Sequence, residues 1–285
     1  MPVTVGSGAY TYELVEGWGK LPEGWEFKQV GGVAVDRADN VYVFNRSPHP
    51  VIVFDRAGKF LRSFGEGDFK NAHGITAAPD GTLWLADNGD HTVKQFTLEG
   101  KRLKTLGTPG VEAEPGMPFR KPTDVAVAPD GYVYISDGYG NSRVHVYTPA
   151  GAYKKSWGQP GVGDGDFNLP HNIWVTSDGR VLVADRENHR VQVFDLAGKH
   201  MATWPDFIQP TDIHVDRNGT VYVAELRNRV TICDSTGKAL ARWGRVPTKE
   251  PGYFTAPHAV WVDSHGDLYV GEVLEGQRIQ KFRRK

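Results

Sequence analysis

Short segments in which apolar and polar residues alternate recur along the whole chain, and this two-residue period predicts β-strands rather than helices. In each recurrence a tight turn joins a first strand to a second, and a third and a fourth strand follow. Four of the first turns carry Asp-Gly or Asn-Gly, which are strong hairpin signals: Asp80-Gly81, Asp130-Gly131, Asp178-Gly179 and Asn218-Gly219. The repeats are spaced 40 to 50 residues apart and begin at six leading residues: Gly31, His73, Thr123, His171, Thr211 and His258.

Four strands per repeat at this spacing are typical of β-propeller blades. The sequence therefore predicts an all-β, six-bladed β-propeller that occupies residues 1–285 as a single domain. The sixth repeat ends at 279–282 without a fourth strand, whereas the N-terminal segment 12–19 ends as the fourth strands do. We expect this segment to complete the last blade and close the ring. An open solenoid would need polar caps, which the sequence does not show.

Charge and composition exclude several classes of function. The formal net charge is −1 with no basic run, so neither nucleic acid nor an anionic membrane is an expected partner. No apolar run approaches the roughly 20 residues of a membrane span, and the N-terminus lacks the pattern of a signal peptide. The one cysteine, Cys233, cannot form an internal disulfide, which favours a reducing, cytoplasmic location.

Repeats that begin with histidine alternate with repeats that do not. His73, His171 and His258 lead the second, fourth and sixth repeats. In a closed ring of six, this alternation places the three imidazoles about 120° apart around one axis. Three neutral imidazoles leave open positions on a bound ion, so we predict a site for Zn²⁺ or another divalent transition metal. We interpret the other seven histidines as surface or packing residues, with His214 lining the channel.

Two arginines and a tyrosine are expected near the same end of the channel. Arg46, Tyr139 and Arg186 come just after the second strands of the first, third and fourth repeats. Two guanidiniums beside a metal suit recognition of a carboxylate. Tyr139 lies between two glycines, which would permit an unusual backbone and expose the ring. Near a dication and two guanidiniums its ionised form would be favoured, so Tyr139 is a candidate general base.

Acidic residues close the second strands of five repeats, at Asp87, Asp137, Asp185, Glu225 and Glu272. Because they recur at one register, we interpret them as structural hydrogen-bond acceptors. Arg143 and Arg190 also share a register, and we expect them to pair with these acids between blades.

Several strings make the chain resemble a known family. Ser136-Asp-Gly-Tyr-Gly-Asn-Ser-Arg143, Val183-Ala-Asp-Arg-Glu-Asn-His-Arg190 and the three leading histidines are similar to the lyase domain of peptidylglycine α-amidating enzymes, a six-bladed propeller of the NHL-repeat class. The resemblance implies that His73, His171 and His258 are zinc ligands and that Tyr139, Arg46 and Arg186 are catalytic. It implies cleavage of the C–N bond of an α-hydroxyglycine-type amide into an amide and glyoxylate, with the Tyr139 phenolate taking the hydroxyl proton.

Three positions depart from the family's pattern. Gly140 replaces a cysteine, Ala256 replaces a methionine of the pocket wall, and Ala259 replaces the acidic residue that binds a structural Ca²⁺. A Ca²⁺ ion is therefore doubtful here, since it would depend on carbonyls near Val30 and Ile75, with Asp124 or Asp212. We expect the substrate to be a small molecule or short peptide with an α-hydroxy-amide and a carboxylate.

Two other functions remain open at this point. The first is a metal-dependent amide or ester hydrolase, in which metal-bound hydroxide attacks the substrate. The second is a non-catalytic NHL-repeat propeller that binds a protein or ligand. Turnover of α-hydroxyhippurate separates the lyase from the hydrolase, and stoichiometric metal analysis separates both from a binding protein.

Overall fold

The computed structural model describes residues 2–285. They form two compact units: unit 1 comprises residues 2–66 and Thr211–Lys285, and unit 2 comprises Gly67–Pro210. In chain order the strands are β1 (Thr4–Ser7), β2 (Tyr10–Val15), β3 (Val30–Val35), β4 (Val41–Asn45), β5 (Val51–Phe54), β6 (Phe60–Phe64), β7 (Ala72–Ala77), β8 (Thr82–Asp87), β9 (Thr92–Thr97), β10 (Arg102–Leu106), β11 (Asp124–Val127), β12 (Val133–Asp137), β13 (Arg143–Tyr147), β14 (Tyr153–Trp157), β15 (Pro170–Val175), β16 (Arg180–Asp185), β17 (Arg190–Asp195), β18 (His200–Trp204), β19 (Pro210–Val215), β20 (Val221–Glu225), β21 (Arg229–Cys233), β22 (Ala239–Gly244), β23 (Pro257–Val262), β24 (Leu268–Glu272) and β25 (Ile279–Arg284).

The strands form six antiparallel sheets, and each sheet corresponds to one repeat of the sequence. Unit 2 contains the sheets β7–β10, β11–β14 and β15–β18, and unit 1 contains β3–β6, β19–β22 and a five-stranded sheet of order β1-β2-β25-β24-β23. The six sheets are the blades of a six-bladed β-propeller, so the predicted fold class is confirmed. That residues 1–285 form a single domain stays a prediction.

The N-terminal strand completes the last blade, as the sequence predicts. β2 pairs antiparallel with β25, which places Tyr12 opposite Arg284. The Tyr12 side chain is fully buried, and burying an aromatic ring of this kind stabilises the fold by about 1.5–3 kcal/mol. Trp18 follows the strand and contacts Phe54 and Tyr269 with its ring. β1 is an unpredicted fifth strand, paired only with β2.

The second strands β4 and β20 are rich in β-branched and aromatic residues, and their side chains are buried on both faces of the sheet. All five residues of β4 and all five of β20 are buried. Strands buried on both faces are expected where blades pack face to face. This burial holds the first strand of each blade in place, and the leading residues lie on those first strands or, for Thr123, directly before one.

The acids after the second strands have the predicted structural role. Asp87 accepts hydrogen bonds from the backbone N–H groups of Lys70 and Asn71, at 2.7 and 2.9 Å. Asp185 and Glu272 likewise accept backbone N–H groups of the loops that lead into their own blades. These bonds satisfy buried carboxylates that would otherwise be costly to desolvate.

The two arginines expected to pair with these acids differ from each other. Arg190 donates its Nε to Asp185 at 2.8 Å, but within one blade rather than between blades. The prediction for Arg143 is wrong, because its Nη1 lies 3.5 Å from Ser156 Oγ instead. Asp137 is bound by His145 Nε2 at 3.2 Å and Asn141 Nδ2 at 2.8 Å, so a buried imidazole and an amide take the place that Arg143 was expected to fill.

One 3₁₀ helix, Arg186–Asn188, is the only helical element among residues 2–285. No helix in this range is long and apolar enough to cross a membrane. Cys233 is a buried free thiol, and burial raises its pKa to about 12. A thiol in this state is unreactive.

Candidate metal centre

Each leading histidine lies at an irregular step of its first strand. The pairing between first and second strands shifts between Ala72 and Ile75, between Pro170 and Asn172, and between Pro257 and Ala259. These steps take His73, His171 and His258 out of the regular ladder. Such β-bulges re-aim side chains and recur next to functional sites. The same shift occurs between Val30 and Gly32, around the leading residue Gly31, so the irregularity is not specific to histidine.

Hydrogen bonds fix the tautomers of two of these imidazoles. In unit 2, His73 Nδ1 lies 2.7 Å from the carbonyl oxygen of Thr123. In unit 1, His258 Nδ1 lies 2.8 Å from the carbonyl oxygen of Gly31. A carbonyl oxygen only accepts, so each Nδ1 carries the hydrogen and each Nε2 keeps its lone pair. This is how metal-ligating histidines are usually oriented.

The three imidazoles are buried, with exposed fractions of 1%, 1% and 4% for His73, His171 and His258. Each offers one ring nitrogen, and in unit 2 those of His73 and His171 lie within 4.8 Å of each other. Neutral imidazole nitrogen is a preferred ligand of zinc and related metals. The three residues could therefore bind a metal ion, as the alternation in the sequence predicts.

Tyr139 lies beside two of the histidines in unit 2. Its hydroxyl oxygen is 3.3 Å from His73 Nε2 and 3.3 Å from His171 Nε2. The Tyr139 ring meets both imidazoles edge to face, and the residue is 39% exposed. Its hydroxyl thus reaches the nitrogens available for a metal, while part of the ring remains open to solvent.

The glycines beside Tyr139 have a different role from the one expected. Neither Gly138 nor Gly140 has a positive φ angle, so the backbone conformation is not unusual there. A Cβ at Gly140 would lie 2.2 Å from the Arg120 carbonyl oxygen, and one at Gly138 would lie 2.3 Å from that of Pro170. The glycines therefore allow the Tyr139 loop to pack tightly against two neighbouring loops.

Arg186 contacts Tyr139 from the fourth blade. Its Nη1 lies 3.2 Å from the Tyr139 hydroxyl, and its guanidinium carbon lies 5.5 Å from the ring centroid. Arg186 Nε donates to Glu187 at 2.8 Å, and Gln209 donates to the other Glu187 oxygen at 2.9 Å. Burial acts to raise the pKa of Glu187, but the hydrogen bonds from Gln209 and Arg186 outweigh it and lower the pKa. Glu187 therefore holds Arg186 in place as a charged group.

Arg46 belongs to unit 1 and is held by its own neighbour. Its Nη1 donates to Gln29 Oε1 at 2.6 Å, and its backbone N–H donates to the Gln29 carbonyl oxygen at 3.0 Å. Gln29 lies just before the leading residue Gly31, so Arg46 is positioned beside the start of β3, as the strand lengths predict.

The residues named for Ca²⁺ are engaged within the protein. Asp124 Oδ2 accepts the Asn172 side-chain amide at 2.5 Å, and Asp212 Oδ2 accepts the Val260 backbone N–H at 2.7 Å. Ala256 and Ala259, the two departures from the family's pattern, are buried. The carboxylates that would have to compensate for Ala259 thus already accept hydrogen bonds.

Sequence reasoning missed the residues that hold the two arginines. Glu187 lies inside a string that resembles the family, but nothing in a single sequence assigns it a partner. Gln29 carries no signal at all. His214, expected to line the channel, is buried with its ring 4.4 Å from that of Trp261. The roles predicted for the candidate catalytic residues stay predictions.

Comparison with known proteins identifies the repeats and their relatives. The NHL repeat matches residues 69–96, 119–147 and 167–194. Human NHL repeat-containing protein 3 is 31% identical over 95% of this chain and 84% of its own length. A probable peptidyl-alpha-hydroxyglycine alpha-amidating lyase of Caenorhabditis elegans is 30% identical over 59% of this chain and 56% of its own length. These homologies confirm the resemblance that the motifs predict.

Longer relatives and solved structures add to this comparison. Peptidyl-glycine alpha-amidating monooxygenase B of Xenopus laevis is 32% identical over 58% of this chain, and the match spans 23% of that protein. A streptogramin B lyase has a TM-score of 0.66 at 16% identity, over 98% of this chain and 90% of that one. A gluconolactonase from Xanthomonas campestris has a TM-score of 0.71 at 14% identity, over 100% and 95%. At these identities the two structures show the fold alone.

Proposed function

Because this chain belongs to the NHL repeat family that includes NHL repeat-containing protein 3, and is homologous to peptidyl-α-hydroxyglycine α-amidating lyases, we propose that it is a metal-dependent carbon–nitrogen lyase. The proposed substrate is an α-hydroxyglycine-type amide that carries a carboxylate. One observation carries the proposal: the Tyr139 hydroxyl lies 3.3 Å from two buried imidazole nitrogens and 3.2 Å from the Arg186 guanidinium.

The proposed metal ligands are His73, His171 and His258. Nδ1 of His73 and Nδ1 of His258 each donate a hydrogen bond to a backbone carbonyl oxygen. Nε2 of these two rings then carries no hydrogen, as a metal ligand requires. We favour Zn²⁺, although three imidazoles also suit iron, cobalt or manganese. When bound, the cation would supply Lewis acidity toward the substrate oxygens.

Tyr139 is the proposed general base. A phenol accepts a proton only after ionisation, and the Arg186 guanidinium at 3.2 Å would stabilise negative charge on its oxygen. Glu187 keeps that guanidinium in position through its bond to Nε. Tyr139 is 39% exposed, so the residue is partly open to a substrate from solvent.

The proposed role of the two arginines is to bind the substrate carboxylate. Arg46 Nη1 is occupied by Gln29 and Arg186 Nε by Glu187, and a guanidinium has five N–H donors. These contacts hold each guanidinium in a defined orientation, in which it would meet a carboxylate. A planar guanidinium recognises a carboxylate with two parallel hydrogen bonds, which also orients it.

The proposed reaction balances without an added reactant. Tyr139 phenolate takes the proton of the substrate hydroxyl, and the O–H electron pair forms the aldehyde C=O bond. The C–N bond breaks with its electron pair moving to nitrogen, which requires one proton. One proton leaves the hydroxyl and one arrives at nitrogen, so the products are the neutral amide and glyoxylate.

The experiment that tests this proposal uses the full chain, reconstituted with Zn²⁺ and mixed with α-hydroxyhippurate at neutral pH. A lyase releases benzamide and glyoxylate in equal amounts. Benzamide is the decisive product, because hydrolysis would give benzoate and an α-hydroxyglycine that itself decays to glyoxylate. Chelator-treated protein and His73→Ala should both be inactive, whereas the control His265→Ala alters an exposed histidine and should keep activity.

Each other outcome of this assay has a defined meaning. Benzoate in place of benzamide would identify the metal-dependent hydrolase. Absence of turnover together with absence of stoichiometric metal would support a binding protein, a function compatible with the near-full-length match to NHL repeat-containing protein 3. We further propose a small cytoplasmic substrate and no nucleic-acid or membrane partner, on the basis of the charge pattern and the single cysteine.

A further inference from the structure

The third blade (β11–β14) contacts the blade of His73 and the blade of His171 through two consecutive residues, Thr123 and Asp124. The Thr123 carbonyl oxygen accepts a hydrogen bond from His73 Nδ1 at 2.7 Å. Thr123 Oγ1 lies 2.8 Å from the carbonyl oxygen of Pro170, the residue before His171. One residue therefore contacts the ring of one histidine and the backbone that leads into the next.

Asp124 contacts the same two strands at the residues that follow His73 and His171. Its Oδ2 accepts the Asn172 side-chain amide at 2.5 Å and the Ile173 backbone N–H at 3.4 Å. A Cβ added to Gly74, the residue after His73, would lie 2.1 Å from Asp124 Oδ1. The carboxylate thus lies against the His73 strand on one side and binds the His171 strand on the other.

Burial makes these contacts costly to lose. Asp124 is 4% exposed, and a buried carboxylate must keep its hydrogen-bond donors to offset its desolvation. Its hydrogen bonds to the His171 strand and its close contact with Gly74 can be kept together only if the two strands hold their spacing. The buried Asp124 carboxylate therefore keeps its hydrogen bonds only while the His73 and His171 strands keep their separation.

The same pair of residue types recurs independently in unit 1. Thr211 Oγ1 lies 3.1 Å from the carbonyl oxygen of Pro257, which precedes His258, and Asp212 Oδ2 accepts the backbone N–H of Val260 at 2.7 Å. A Thr-Asp pair thus lies beside a histidine strand twice. The recurrence argues for a common role.

We propose that Asp124 is a positioning residue for the metal centre, which sets the spacing of the His73 and His171 imidazoles. This inference rests on the proposed metal centre and not on the identity of the substrate. Partners that orient metal ligands typically change metal affinity by about 10- to 100-fold when they are removed. We expect a change of this size in metal affinity, together with an altered ligand geometry.

The test titrates metal-free full-length protein with Co²⁺, following heat by calorimetry and coordination geometry by the visible absorption of the ion. The variants are Asp124→Asn, which keeps the side-chain shape, and Asp124→Ala, which removes the carboxylate and leaves Gly74 and Thr123 unchanged. The matched control is Asp130→Asn, in the exposed turn of the same blade. Thermal melting of the metal-free variants checks that they fold.

The expected result is a dissociation constant about 10- to 100-fold higher in both variants, with a changed visible spectrum, and wild-type behaviour of the control. Wild-type affinity and an unchanged spectrum in both variants would overturn the inference while leaving the metal centre intact. Failure of the wild-type protein to bind Co²⁺ would overturn the metal centre itself, and this inference with it. If one variant fails to fold, the other still tests the inference, since both change only the Asp124 side chain.

Discussion

The Tyr139 hydroxyl lies 3.2 Å from Arg186 Nη1, although the two residues are 47 positions apart in the chain. The contact joins a loop of the third blade to the short helix of the fourth, and Glu187 holds the arginine from the other side. It gives a phenol beside two buried imidazoles a permanent cationic neighbour. The expected behaviour of several variants follows from this relationship and from the blades that support it.

Replacing Tyr139 with phenylalanine removes the proposed base and leaves the ring in place. We expect Tyr139→Phe to lower kcat for α-hydroxyhippurate by about 10²- to 10⁴-fold, the usual contribution of a general base. Metal content, measured by elemental analysis, should not change, because the histidines are untouched. Tyr153→Phe is the control, since Tyr153 is exposed and its hydroxyl contacts only Ser156 among the hydrogen bonds described. Near-wild-type activity of Tyr139→Phe would disprove its role as the base.

Arg46→Lys keeps a positive charge and removes the planar guanidinium fork. If Arg46 binds the substrate carboxylate, KM for α-hydroxyhippurate should rise about tenfold or more, as loss of a charge-assisted hydrogen bond predicts. The methyl ester of the substrate, which has no carboxylate, should show little difference between variant and wild type. Arg283→Lys, at an exposed ion pair with Glu13, serves as the control. An equal effect on acid and ester would argue against carboxylate recognition by Arg46.

Deleting residues 1–20 removes β2 and leaves the outer edge of β25 unpaired. An exposed strand edge is a template for intermolecular pairing, so we expect aggregation and a lower melting temperature. Deleting residues 1–8 removes only β1 and should be tolerated far better, because β2 still pairs with β25. Light scattering and thermal melting of both truncations measure the difference. Identical behaviour of the two would show that β2 does not stabilise the last blade.

Burial lowers the pKa of His214 from 6.5 to about 3. The folded state then binds a proton more weakly than the unfolded state, so stability falls as pH drops below about 6.5 and the loss continues toward pH 3. One such group costs about 1.4 kcal/mol per pH unit, or roughly 2 kcal/mol between pH 6.5 and pH 5. Urea unfolding of metal-free protein at pH 5, 6 and 7 should show a shallower pH dependence for His214→Leu. Parallel curves for wild type and variant would contradict this assignment, and His265→Ala should follow the wild type.

The strand periodicity and the turn chemistry were sufficient to count the blades and to find their registers. Five of the six blades are local units whose two-residue alternation and tight turns lie within one stretch of chain, so their strands can be recognised without tertiary information. The pairing of β2 with β25 is long-range, yet the missing fourth strand of the last repeat made it predictable. β1 has no counterpart in the other repeats, and for that reason no repeat pattern predicts it.

Side-chain partners were less predictable than positions. Arg143 and Arg190 share a register, but only Arg190 donates to the acid of its blade, Asp185. Beside Asp137, His145 and Asn141 make the hydrogen bonds that Arg143 was expected to make. Glu187 and Gln29 lie next to the candidate site residues without any periodic signal. Hydrogen bonds of this kind depend on rotamers and on loop packing, which differ among blades of the same register.

The sequence by itself determined the six-fold repeat, the alternation of leading histidines and the loops on which Tyr139, Arg46 and Arg186 lie, because all of these follow from spacing along the chain. Only the tertiary structure decided that a β-bulge accompanies each of the three histidines, that carbonyls of the adjacent blades orient the rings of His73 and His258, and that Asp124 contacts two histidine strands at once. The hydrogen bonds among them join residues 48 to 227 positions apart, at distances set by how blades pack against each other. No local pattern encodes such a distance.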